Sequence, residues 1–171
     1  MVKYNPYNET MSQYEKKYPE FKFLGAVPID FDDLPQLGIK DLDFKGLMNE
    51  GITKLGIIFN LDDSTMPGSH WTASFVDTND GNVVYFDSYG FQSEHRIRKF
   101  MRRAANFCKE HNGKEPFVAH NKVRHQYKGS ECGIYSIRFL TRMLKGDSFE
   151  KICNDAIPDD TVNKCRKIYF K

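Results

Sequence analysis

Three features of this sequence predict an α+β fold with a central mixed or antiparallel sheet flanked by helices. Two strand-like runs, 71–76 and 82–86, are joined through Asn79-Asp80-Gly81, a strong short-range hairpin signal. A compact apolar run bounded by turn residues, Lys54-Leu55-Gly56-Ile57-Ile58-Phe59-Asn60, precedes them and reads as a buried strand. Two segments with helical periodicity follow: 94–111, with Ile97, Phe100, Met101, Ala104, Phe107 and Cys108 on one face, and 132–144, which is apolar over most of its surface.

Taken in order, the remaining elements are short. Residues 1–20 are polar and tyrosine-rich, and Glu9 to Tyr18 predicts a short helix stopped by Pro19, in a peripheral lead-in to a single domain spanning 1–171. Leu24 to Asp30 predicts an edge strand that runs into loop at Pro28, with no long element between Phe21 and Phe44. A polar loop, 62–69, leads to the hairpin, and Glu115 to His120 predicts another short strand after the first long helix. Gly146 is placed to end the helix that begins at Cys132, and the tail predicts two short helices, 148–154 and 160–170. No internal repeat or linker divides the chain.

Composition narrows the function classes. With 171 residues, 40% apolar and 28% charged, the chain can bury a working core without disulfide or metal staples, so disordered and collagen-like readings fall away. A net charge of +2 gives no global field for nucleic acid or membrane, so a charged partner must meet a local patch. The opening residues hold no apolar secretion segment and no later run has the length of a membrane span. Cys108, Cys132, Cys153 and Cys165 show no C-x-x-C pair, which fits an intracellular, reducing compartment.

Acyl hydrolysis by cysteine needs a thiolate, an imidazole to carry the proton, a group to orient that imidazole and donors for the oxyanion. The chain has a candidate for each. Cys132 opens the buried helix within Gly129-Ser130-Glu131-Cys132-Gly133-Ile134-Tyr135, where a helix dipole favours negative charge and Gly133 lets a substrate backbone approach. His70 starts the first hairpin strand and Asp87 ends the second, so antiparallel pairing makes them neighbours. Gln126, six positions before Cys132, supplies a side-chain amide that can complement the Cys132 backbone N–H. Each residue alone has a bland reading: an unpaired cysteine is most often a small buried apolar group, and a His beside an Asp is most often a structural hydrogen bond. The joint set points to catalysis.

The ordered set His70-Trp71, Phe86-Asp87-Ser88, Gln126 and Cys132-Gly133-Ile134-Tyr135 resembles the ubiquitin-like-protein (SUMO-specific) proteases and the related adenovirus-type proteases of large DNA viruses. The resemblance covers roughly residues 55 to 145 and implies a papain-like α+β fold of the adenain and SUMO-protease type. It implies Cys132 as nucleophile, His70 as general base and acid, Asp87 as orienting carboxylate and Gln126 as oxyanion donor. Substrates with Gly-Gly before the scissile bond would pass Trp71 and Gly133. Two departures separate this chain from SUMO-specific members: Trp71 is its only tryptophan, where they carry a second that closes over the glycines, and it lacks their long N-terminal SUMO-grasping region. Segments 23–30 and 56–71 are similar instead to the viral members.

The expected function is therefore a cysteine endopeptidase cleaving after Gly-Gly-type sites, a viral protease that processes structural precursors. Removal of a ubiquitin-like modifier is the runner-up, with an inactive module that binds ubiquitin-like tails and an acyltransferase as further alternatives. Expected partners are protein substrates carrying Gly-Gly; a monomer is expected, placed in host cytoplasm or virion if viral and in the nucleus if a SUMO protease. No cofactor is predicted, although a DNA or peptide activator is considered. No metal is predicted either, since Cys108-Lys109-Glu110-His111 lacks a second ligand pair. The basic helix residues Arg96, Arg98, Lys99, Arg102 and Arg103 are read as a solvated face rather than a phosphate-binding one.

Overall fold

A computed structural model describes residues 5–170; Met1 to Tyr4, where the lead-in opens, lie outside the described residues. Helix α1 (Pro6–Lys17) starts on Asn5, whose side chain accepts the Tyr7 N–H at 2.9 Å, with Pro6 fitting the first helical position. Strand β1 (Phe21–Pro28) follows, then two 3-10 turns and a short helix, α2 (Phe44–Asn49), which the sequence pattern did not disclose. Strands β2 (Lys54–Asn60), β3 (Trp71–Asp77) and β4 (Asn82–Phe86) come next, then helix α3 (His95–Asn112) and strand β5 (Phe117–His120). Helix α4 (Cys132–Leu144) precedes α5 (Phe149–Asn154), α6 (Asp159–Lys164) and α7 (Arg166–Tyr169).

The sheet order is β1-β2-β3-β4-β5, so each strand pairs with its neighbours in sequence. The β2/β3 and β3/β4 pairs are antiparallel, while β1/β2 and β4/β5 are parallel. The parallel pairs require crossovers, supplied by the α2 segment and by α3. The sheet is therefore mixed, within the predicted class.

Side chains alternate across β2, sending Leu55, Ile57 and Phe59 toward α3 and Ile58 toward α4. Both faces are covered, which is why this strand reads as an apolar run instead of a polar alternation. Gly56 permits the close approach of α4: a Cβ there would lie 3.0 Å from the Phe21 ring and 3.3 Å from Leu140. On that face Phe86 stacks on Phe139 at 5.3 Å, and nearly all of α4 is buried.

Two expectations change. The lead-in is not peripheral: Met11 is fully buried, and α1 packs on β1 and α4. The tail helix expected over 160–170 is two helices, because the Cys165 N–H closes a tight turn on the Val162 carbonyl at 2.9 Å and interrupts the α-helical hydrogen-bond pattern there. The basic helix face is largely occupied within the fold: Arg96 pairs with Asp32 and Asp33, Arg98 donates to the Ser93 carbonyl, and Arg103 donates to the Ile39 and Leu42 carbonyls.

Candidate active site

The hairpin register that sets Ala73 opposite Phe86 continues toward Asp87 at one strand end and His70 at the other. The pair meets: His70 Nε2 lies 2.7 Å from Asp87 Oδ1, with the carboxylate side chain 2% exposed and the imidazole 13%. Asp87 is held from several directions. Its Oδ1 also accepts the Tyr89 N–H at 2.9 Å, and Asn121 brackets its backbone, accepting from the Asp87 N–H at 2.8 Å and donating to the Asp87 carbonyl at 2.6 Å. Fixed donors around a buried carboxylate replace the water it has lost.

With Nε2 engaged by Asp87, the other ring nitrogen of His70 is left for Cys132. Burial opposes the charged imidazolium, yet hydrogen bonds to Asp87 and Cys132, with the charges of both, outweigh it and push the His70 pKa up to about 9. A neutral-pH imidazolium beside a sulfur is the arrangement from which a thiolate attacks and a proton is then delivered.

Cys132 opens α4, its side chain buried against the start of β3. Ser136, one turn on, fastens the helix there: its Oγ meets the Cys132 carbonyl at 3.0 Å and the Trp71 carbonyl at 3.3 Å. The loop before Cys132 is clamped from the tail. Asp159 Oδ2 accepts the Tyr127 and Lys128 N–H groups at 2.9 and 3.0 Å, and Arg166 Nη2 donates to the Ser130 carbonyl at 2.9 Å while pairing with Glu131 at 3.2 Å.

Gln126 is fully buried beside this loop. Its Oε1 accepts the Ser88 hydroxyl at 2.6 Å and its Nε2 donates to the Lys128 carbonyl. These bonds hold the amide within its own loop and the turn after Asp87, and it is not among the residues that line the cavity beside Cys132.

Cys132, Gly133, Trp71, Tyr7 and Phe170 line a cavity of about 180 Å³. The Tyr7 ring sits 4.8 Å from that of Trp71 and 5.4 Å from that of Phe170. Its hydroxyl stands directly over Gly133, so that a Cβ added at Gly133 would fall 2.0 Å from it. Burial, followed by the charge of Cys132, raises the Tyr7 pKa far above the tyrosine range, keeping the hydroxyl protonated. An aromatic pair thus closes over the glycine beside the cysteine, one ring coming from the hairpin and the other from the N-terminal helix.

Residues 52–171 match the family model described as the Ulp1 protease family, C-terminal catalytic domain. The chain belongs to the Ulp1 protease family. A thiol protease of Acanthamoeba polyphaga mimivirus is 40% identical over 164 residues, covering 96% of this chain and 54% of that protein. A cysteine protease of African swine fever virus is 30% identical over 118 residues, covering 68% of this chain and 43% of that protein. The crystal structure of an African swine fever virus protease shares the fold with a TM-score of 0.82 at 22% identity, covering 97% of this chain and 66% of that one. The yeast Ulp1 protease domain in complex with Smt3 does so with a TM-score of 0.59 at 18% identity, covering 96% and 72%. The chain spans about half the length of the curated relatives it matches.

The Ulp1-type reading of the sequence selects residues that the structure brings together: His70 on Asp87 and Cys132, and Trp71 and Gly133 in one cavity with Cys132. Sequence reasoning missed Tyr7, Asn121, Asp159 and Arg166. A capping Asn-Pro pair at the chain start was available as a sign that α1 begins at Tyr7's own turn, but nothing local links any of the four to a cysteine far away in sequence.

Proposed function

We propose that this chain is a cysteine endopeptidase that cleaves after Gly-Gly-type sequences in protein substrates, as a processing protease for precursor proteins of a large DNA virus. One observation carries the reading: an imidazole held at 2.7 Å by a buried carboxylate, with a cysteine at a helix start on its other side. In this reading the Cys132 sulfur attacks the glycine carbonyl carbon, and the oxyanion is met by the Cys132 N–H and the Gln126 side-chain amide. The C–N bond breaks as His70 hands its proton to the leaving amine. Water then attacks the thioester, His70 takes its proton, and the Cys132 sulfur leaves.

The cavity supports glycine on the acyl side. Tyr7 and Trp71 are in ring contact and the Tyr7 hydroxyl covers Gly133, which narrows the approach to the sulfur and favours a residue without a side chain there. Origin in a large virus is supported by the mimivirus and African swine fever virus relatives. Removal of a ubiquitin-like modifier is a second reading, favoured by the African swine fever virus relatives named SUMO-1 cysteine proteases.

The test is mass-spectrometric analysis of a panel holding Gly-Gly-X peptides and a full-length SUMO precursor, with wild type beside Cys132→Ala. Peptide cleavage that depends on Cys132 and spares the SUMO precursor supports precursor processing. SUMO maturation selects the second reading, and wild-type turnover by Cys132→Ala would end both.

A further inference from the structure

Beyond His70, outside the residues that line the Trp71 cavity, the surface has a different character. The Tyr89 ring lies nearly parallel to the imidazole, 4.4 Å away at 18°. The Arg124 guanidinium is held between two rings, 5.2 Å from the centroid of Tyr89 and 4.8 Å from that of Tyr127. Its Nε donates to the Gln126 carbonyl at 2.6 Å, which leaves the terminal amino groups facing outward. Tyr127 is 71% exposed, Phe91 66% and Val123 48%, a concentration of exposed apolar groups that marks a contact surface.

This surface is one unit. The Ser88 carbonyl accepts the N–H groups of His125 and Gln126 at 2.8 and 2.9 Å, and Asn121 Nδ2 donates to the Val123 carbonyl at 3.2 Å, tying the turn after Asp87 to the loop before Cys132. Among the described residues no carboxylate pairs with Arg124 or with its neighbour Lys122. The patch is therefore basic as well as aromatic.

We propose that this ridge receives the polypeptide on the amine side of the cleaved bond, and that Arg124 selects an acidic side chain there. The inference rests on the cysteine-peptidase reading. The acyl side of the substrate is fixed by the cavity at Cys132, Gly133 and Trp71. The leaving nitrogen must meet the His70 proton, so the departing chain begins at the imidazole and runs onto the surface continuous with it, which starts at Tyr89. A guanidinium already flattened between two rings loses little freedom on binding, and its outward N–H pair matches a carboxylate. The exposed Phe91 and Val123 side chains offer apolar footing beside that contact.

The test compares peptides identical through Gly-Gly and differing only beyond the scissile bond, with Glu-Glu, Ala-Ala or Lys-Lys in the first positions. Wild type should show kcat/KM about fivefold higher for Glu-Glu than for Ala-Ala, the scale of an exposed charge pair, and lower still for Lys-Lys. Arg124→Gln should bring the three within about twofold, and Arg124→Glu should invert the order. Arg124→Lys also loses the Gln126 contact but keeps the charge, so retention of the order in that variant separates charge selection from loop damage. Equal rates on all three peptides by wild type, or an unchanged order in Arg124→Gln, would overturn the assignment while leaving the peptidase reading intact. Failure of wild type to cut any of the three would instead remove the reading beneath it.

Discussion

The two walls of the cleft are held by different forces. The hairpin wall, carrying His70 and Asp87, is set by strand register and by buried polar contacts: the 2.7 Å pair itself and the bracketing of Asp87 by Asn121. The helix wall, carrying Cys132 and Gly133, is closed by ring packing of Tyr7 and Phe170 and clamped by Asp159 and Arg166, residues from the two ends of the described chain. In the proposed reaction the first wall positions a proton and the second shapes a channel. Damage to the first should therefore appear in kcat and its pH dependence, and damage to the second in KM and in substrate choice.

The largest effect should come from the centre of the hairpin wall. Asp87→Asn should lower kcat/KM by about two to four orders of magnitude through a misoriented imidazole. The sign of the pH effect follows from His70: its pKa is pushed up to about 9 with Asp87 among the causes, so the protonated form is lost as pH rises through that value. Wild-type kcat/KM should fall on the alkaline side near pH 9, and in Asp87→Asn that limb should move to lower pH.

Asn121→Ala should come next, leaving the buried Asp87 N–H and carbonyl without partners at about 1–3 kcal/mol of stability, read by denaturant unfolding, together with reduced kcat. On the other wall, Tyr7→Ala should raise KM for Gly-Gly peptides about tenfold, a change worth about 1.4 kcal/mol, with little change in kcat, and should admit substrates with alanine in place of a glycine. A kcat loss with unchanged KM in Tyr7→Ala would erase the distinction between the walls. The smallest effect should be that of Arg166→Ala, which leaves the buried Glu131 carboxylate without its cation at about 1 kcal/mol, measured as a drop in thermal midpoint.

The hairpin wall was also the legible one. Its turn chemistry and two strand-like runs lie within a short stretch of sequence, and pairing geometry then places His70 beside Asp87 without tertiary knowledge. β2, β4 and α4 have the bounds read from the sequence, because apolar runs between turn residues leave little choice of ends. The helix wall was legible only at Cys132 and Gly133. Tyr7 looks like one more residue of a polar lead-in until α1 is docked, and its closeness to Gly133 exists only in the packed structure. Arg166 likewise gains meaning from a break at Cys165 that helical periodicity does not show. Gln126 was singled out through the family resemblance, and its internal bonds to Ser88 and Lys128 were not legible.

The most direct measurement is peptide mapping of the protein after reaction with a Gly-Gly peptide bearing a C-terminal vinyl sulfone. Burial pushes the Cys108 and Cys153 thiols up to about 11, and the remaining free cysteine, Cys165, lies in the turn between α6 and α7. The account predicts a single adduct, on Cys132, formed far more slowly in His70→Ala and absent in Cys132→Ala. An adduct on another cysteine, or cleavage that persists with Cys132 unmodified, would contradict it.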